Sequence, residues 1–212
     1  MTKEQFNEIK ERLSKWREER HLTYENQMEG FLGNVFEEVS EYFRAKDDLE
    51  RVDALCDIAV LMINSFEFLE YVSFDLIEKK VDIFQIIEHF TGYFIEYRDK
   101  IEYYNEYKEF EYLMIVEIEC LVNSFGFDFY KCMIETIKEI ESRTGYYDDD
   151  LNKFIKDEGA YNKEDLLEKY PISKYSISED NTHFIIFDKK GHTEAFIKKW
   201  YKADYESCRI KD

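Results

Sequence analysis

Proline occurs once in 212 residues, at Pro171, and glycine only seven times. So few chain-breakers argue against a sandwich or barrel of short strands joined by tight turns, and favour long helices. No apolar run approaches the ~20 residues needed to cross a bilayer, so no membrane span is expected. The opening MTKEQFNEIKERLSKWREER is charged throughout, and no signal peptide is expected there. Cysteine is sparse. Cys56, Cys120, Cys132 and Cys208 form no CxxC pair and mostly stand in apolar, helical contexts, which reads as free thiols in a reducing, cytoplasmic compartment. Positive charge is short as well: 29 Lys and Arg against 48 Asp and Glu leave a net charge of −19. That balance argues against a nucleic-acid polymer or an anionic membrane as partner, because neutralising phosphate drives such binding. It leaves room for a small phosphate substrate, since a bound divalent cation reverses the local field. The four histidines show no HxxxH spacing, and neither GxxxxGK[ST] nor GxSxG occurs.

What is present is apolar and aromatic. Hydrophobic residues make up 44% of the chain and aromatic ones 17%, enough for one large core. The sequence therefore reads as an all-α single domain over 1–212, with core helices over about 2–145 and an extension over about 146–212. Phe6, Ile9, Leu13 and Trp16 fall at helical spacing, and Thr2 with Gln5 forms a capping box ahead of them. A second helix is predicted over 26–46. A third starts at an Asp47-Asp48 cap and ends near Leu69. Two or three more are expected over 74–123, with breaks near Thr91-Gly92 and around Asn105. Gly126 marks a stop, and Asp128 caps a further helix to about Arg143 that ends at Thr144-Gly145. Beyond it a short helix over 163–170 and a last helical piece over 198–208 are expected. The one β signal is a hairpin: Thr182–Phe187 and His192–Phe196 flank a glycine-containing turn.

The segment that carries chemistry is Phe36-Glu37-Glu38-Val39-Ser40-Glu41, followed by Glu50-Arg51-Val52-Asp53-Ala54-Leu55-Cys56-Asp57. Glu38 and Glu41 are three apart and Glu37 and Glu41 four apart, neighbouring positions on one helix face. On the third helix a turn of ~100° per residue puts Asp53, Asp57 and Asn64 at about −60°, −20° and −40° from Glu50, a single stripe. From Ile58 onward the same helix is apolar nearly all round, so it is expected to be buried. Carboxylates on a buried helix are costly unless paired, hydrogen-bonded or metal-bound. A hard divalent cation with oxygen ligands relieves both the burial and the mutual repulsion. The short connection near Lys46–Asp48 should make the two helices antiparallel neighbours whose acids converge. The plainer reading is that Glu-Glu-x-x-Glu, in a chain this acidic, is a solvated face, and that Glu50 and Asp53 serve the helix dipole. Asp57 is harder to explain that way, because it opens the most apolar stretch.

Glu-x-x-Glu on one helix, a short connection, and an aspartate entering an apolar helix with Asn64 seven residues on resembles the MazG-type all-α nucleotide pyrophosphohydrolases. That superfamily includes MazG-like enzymes, all-α dUTPases, dCTPases and phosphoribosyl-ATP pyrophosphohydrolases. The resemblance covers about 16–64. Weaker echoes lie in the Glu135–Arg143 helix end and in Lys153–Asp157 and Tyr201–Tyr205, while 72–112 has no counterpart. It implies Mg²⁺, with Mn²⁺ as a substitute, held by Glu38 and Glu41 with Asp57, Asp53 or Glu50. Two registers stay open on the third helix. Glu50-x-x-Asp53 fits the family's spacing. Asp57 fits its context but has Ala54 where the family carries a glutamate. The implied activity is hydrolysis of a nucleoside triphosphate, dUTP or dCTP among the options, to the monophosphate and pyrophosphate. Glu37 or Glu38 would be the general base, and Asn64, Arg143, Lys153, Lys156 and Lys202 the candidates to contact substrate. The family also implies a homodimer or homotetramer. The rival from another class is a non-catalytic helical interaction protein of phage origin that keeps the bundle.

Overall fold

The computed structural model describes residues 1–67, 81–97, 108–148, 150–151 and 153–211, with backbone alone at 93–97, 108–112 and 153. These divide into two compact units. One comprises Met1–Glu18, Leu22–Ile137 and Asp204–Asp212; the other comprises Glu19–His21 and Lys138–Ala203. The division falls at Ile137–Lys138, inside a helix.

The first unit is helical. Helix α1 (Lys3–Glu18) buries Phe6, Ile9 and Leu13 of the stripe anticipated from spacing, with Arg17 buried and Trp16 only half-buried, behind the Thr2–Gln5 capping box. Helix α2 (Tyr24–Arg44) begins at a second capping box, Thr23 with Asn26, and buries Phe31, Val35 and Val39. Ala45 leaves the helical conformation, and Asp47 accepts a bond from the Glu50 amide to start α3 (Asp48–Ser65). With three residues between them, α3 folds back along α2, its main packing partner. Both Val52–Cys56 (Asp53 apart) and Ile58–Ser65 (Leu61 apart) are buried, as a helix apolar on every face requires. It ends earlier than expected: Phe66 is extended and donates its amide to Met62 O. Leu69 lies outside the described residues.

Helix α4 (Ile83–Tyr97) runs through Thr91-Gly92, where a break was expected. The Thr91 hydroxyl turns back onto the carbonyls of Ile87 and Glu88, which satisfies it within the helix instead of drawing the backbone into a turn. The break expected around Asn105 lies outside the described residues. Helix α5 (Lys108–Ser124) closes at Gly126, whose φ of +84° suits glycine. Asp128 accepts from the Lys131 amide and caps α6 (Phe129–Ser142). The chain returns to this unit at its far end. Phe127 bridges Arg209, Asp128 N donates to Cys208 O and Ile210 N to Gly126 O, each at 2.9 Å. Between them a 3₁₀ turn over Tyr205–Cys208 is capped by Asp204.

The second unit overturns the all-α expectation: the described residues are 56% helical and 17% strand, with a two-stranded and a four-stranded sheet. The anticipated hairpin is present as β5 (His183–Asp188) and β6 (Thr193–Lys199), with Gly191 at φ +85° in its turn. A lone hairpin is marginal in water, and its two edges invite partners. β4 (Tyr175–Glu179) pairs antiparallel with β5, and the two-residue β3 (Gly159–Ala160) pairs parallel with β6. The sheet gains a core of Ala160, Leu166, Phe184, Ile186 and Ile197. β1 (Gly145–Asp148) and β2 (Lys153–Lys156) form the separate ribbon. The helix expected over 163–170 shrinks to a 3₁₀ turn at Glu164–Leu166, and the piece over 198–208 to Tyr205–Cys208. Strand pairing through Lys199 takes the start of the latter.

Candidate functional site

The acids singled out in the sequence lie in the helical unit. On α2, Glu38 is half-buried beside Val39, while Glu37 and Glu41 are exposed. On α3, Asp53 and Asp57, one turn apart, are half-buried among Val52, Ala54, Cys56 and Ile58. Burial first, then the carboxylates of Glu41, Asp53 and Glu37, push the Glu38 carboxyl up to about 7. Asp53 is thus the α3 acid that acts on the α2 cluster. Glu50, the other member of the Glu-x-x-Asp pair, is exposed and accepts the Lys46 amide at 2.7 Å, which ties it to the connection between the helices. The field of Asp57 falls on Cys56 and Tyr205.

The chemistry of the donor set suits a hard divalent cation: all its members are carboxylates, and their mutual repulsion at Glu38 is what such an ion relieves. Among the described residues, however, no three Asp, Glu, His or Cys side chains are gathered so as to hold an ion. A cation would have to draw the exposed Glu41 inward. An open groove of about 390 Å³ lies along this face of α2, lined by Gly33, Phe36, Glu37, Ser40, Glu41 and Arg44.

Asp53 has a partner that no local pattern announced. The Tyr205 hydroxyl donates to Asp53 Oδ1 at 2.8 Å and lies 2.9 Å from Thr136 Oγ1. Tyr205 is only 7% exposed. Its phenol is pushed well up by burial and by Cys56, Asp53 and Asp57. Asn64 completes the α3 stripe in a different role: buried, it accepts from Arg17 Nη1 at 2.7 Å.

The basic candidates belong to the strand-bearing unit. Arg143 donates to Glu139 Oε1 at 2.6 Å and to the Tyr161 hydroxyl, while its carbonyl accepts from Arg20. It is therefore committed to a network inside that unit. Lys156 is exposed on β2 and Lys202 is exposed before the final turn. Lys153 opens β2, but its side chain lies outside the described residues.

No family model, no curated protein and no solved structure matches this chain. The residues and their geometry therefore carry the functional argument alone. Among the described residues no helix is long and apolar enough to cross a membrane.

Proposed function

We propose that the helical unit takes a divalent cation, Mg²⁺ or Mn²⁺, between α2 and α3, and that the protein hydrolyses a nucleoside triphosphate to the monophosphate and pyrophosphate in the cytoplasm. The observation that carries this reading is Glu38. A half-buried carboxyl raised to about 7, by burial first and then by three neighbouring acids, is an arrangement that a stable helix pair has no structural need to keep. Perturbed groups of this kind concentrate at functional sites. The likeness of Glu38-x-x-Glu41 and Asp57 to the MazG-type pattern points to the same chemistry.

When bound, the cation would neutralise phosphate charge and make water a better nucleophile. Glu41, Asp53 and Asp57 would hold it. Glu38 titrates where a general base is effective at neutral pH and is favoured over the exposed Glu37 for that role.

The test is a panel of ribo- and deoxyribonucleoside triphosphates, dUTP and dCTP included, with Mg²⁺ or Mn²⁺ and detection of pyrophosphate. Turnover that disappears in Glu38→Gln and Asp57→Asn is the expected result. A blank panel with a folded protein would end the enzyme reading. A second reading, a helical interaction protein, is favoured by one observation. Phe36, Phe43 and Phe84 are 47%, 53% and 67% exposed, and the rings of Phe43 on α2 and Phe84 on α4 meet at a tilt of 48° with centroids 5.6 Å apart. Such an aromatic face suits a partner or a second copy of the chain. A monomer at all concentrations in light scattering would remove the self-association expected of the family.

A further inference from the structure

Three of the four cysteines meet inside the helical unit. Cys56 on α3, Cys132 on α6 and Cys208 on the terminal 3₁₀ turn are all enclosed. The Cys132 thiol is in hydrogen-bonding range of both of the others. The backbone brings Cys208 there. Its carbonyl accepts the Asp128 amide at 2.9 Å, and the Cys132 amide, one helical turn on, donates to the Asp128 carbonyl at 3.0 Å. A polar layer runs beside the sulfur layer. Asp53 precedes Cys56 by three residues, Thr136 follows Cys132 by four and Tyr205 precedes Cys208 by three, each a neighbour spacing along a helical turn. The Tyr205 hydroxyl meets Asp53 and Thr136. The same three elements therefore touch twice, once through oxygen and once through sulfur.

Among the described residues no three such side chains are gathered so as to hold an ion. The chemistry open to neighbouring thiols is to pair, and Cys132 has two neighbours to choose from. Chain connectivity separates them. The strand-bearing unit leaves the helical unit after Ile137 on α6 and re-enters it at Asp204. Cys132 stands five residues before the exit and Cys208 four residues after the return. A bond between these two closes the whole insertion into one covalent loop. Cys56, in the middle of α3, offers no such closure.

We propose that Cys132 and Cys208 form a disulfide when a low-molecular-weight disulfide is in excess, a redox staple across the two stems of the inserted unit. One protein thiol loses its proton and attacks the small disulfide, which forms a mixed disulfide and releases one small thiol. The second protein thiol loses its proton and attacks the protein sulfur of that mixed disulfide, which releases the other small thiol. Two protein S–H bonds and one small-molecule S–S bond are lost. One protein S–S bond and two small-molecule S–H bonds are gained, so the two electrons given up by the protein reduce the oxidant. Both thiols are enclosed, so the exchange waits on local opening of the Asp204–Ile210 segment. Once made, the bond stabilises the fold by restricting the unfolded chain. In a reducing compartment such a disulfide is transient and senses oxidant rather than serving as permanent scaffold.

The experiment holds the reduced full chain, without denaturant, in excess glutathione disulfide. Remaining thiols are then alkylated and the chain is digested for mass spectrometry. The expected product is a pair of peptides joined through Cys132 and Cys208, separated again by dithiothreitol. The oxidised protein should unfold at a higher urea concentration than the reduced one, and Cys208→Ala should show neither the link nor the shift. A link between Cys132 and Cys56 instead would overturn the proposal, as would glutathione on Cys120 with Cys132 and Cys208 still free after prolonged exposure. A Cys132–Cys208 link that leaves the urea midpoint unchanged would overturn the staple. Should Cys208→Ala fail to fold by circular dichroism, the wild-type peptide map and its urea curves decide alone.

Discussion

Arg17 Nη1 lies 2.7 Å from Asn64 Oδ1, and the same guanidinium reaches the Tyr24 hydroxyl at 2.9 Å. Arg17 is 4% exposed and Asn64 2%, so the amide oxygen is a principal acceptor for a buried cation that ties α1 to α3. Replacing Asn64 by Ala leaves a charged donor short of an acceptor and is expected to destabilise the fold by about 2–3 kcal/mol. Urea denaturation reads this directly. If Asn64 served substrate instead, the variant would raise KM and leave the unfolding curve where it was.

Glu38 makes metal-free stability depend on pH with a definite sign. Its carboxyl titrates near 7 in the folded protein against the ordinary 4.5, so the folded state binds the extra proton between those values. The contribution is complete below about 4.5 and is lost as pH rises through 7. The protein without divalent cation is therefore expected to be more stable at pH 5.5 than at pH 8 as far as this group goes, and Glu38→Gln should flatten the difference. Because Glu38 is partly solvated, the effect should be on the order of 1 kcal/mol rather than the full shift. Parallel pH profiles for wild type and variant would rule this out.

Gly145 on β1 leaves no room for a side chain against β2. A Cβ there would stand 2.1 Å from the Ile155 carbonyl oxygen, and backbone of a paired strand cannot move aside. Gly145→Ala should open the ribbon at a cost on the order of 1–3 kcal/mol. Limited proteolysis would show it as faster cleavage within 145–156, and unchanged cleavage would mean the ribbon tolerates the methyl.

All four thiols are free, but only Cys120 is half-buried; Cys56, Cys132 and Cys208 are enclosed. Burial pushes the Cys56 thiol well up, Cys208 up to about 12, and Cys120 upward as well. Native protein at pH 8 is expected to titrate one thiol slowly with an aromatic disulfide reagent, faster as pH rises, and all four in denaturant. Two or more thiols reacting at once in the native state would contradict this packing.

The helical unit was readable because its signals are local. Thr2 and Gln5, Asp47, Gly126 and Asp128 act on backbone within a few residues, and the Phe6–Ile9–Leu13 spacing names its own face. The connection between α2 and α3 followed from its length. The strands were only partly readable. Tyr175-Ser176-Ile177-Ser178-Glu179 alternates with the period of a strand and lies one turn ahead of His183, so β4 had a signal that the surrounding polar residues obscured. β1 and β2 are four residues each, interrupted by the acidic run Asp148–Asp150. β3 is two residues long and exists only because β6 is there to pair with it. At the site, the α2 and α3 acids were visible as helix periodicity. The tie between Asp53 and Tyr205 spans 152 positions, and no pattern in either segment encodes it. Arg17 escaped notice for the same reason: its partners Asn64 and Ile63 are 47 and 46 residues away.

That long tie bears on the order in which the molecule assembles. Contacts between distant segments form late, because closing a long loop costs entropy before the contact repays it. As the chain emerges during synthesis, α1, α2 and α3 can pair while everything from α6 onward is still unmade. Asp53 then waits for Tyr205. A nascent or truncated chain would carry the helix pair without that bond, so the helices should pair well before Asp53 acquires its Tyr205 partner.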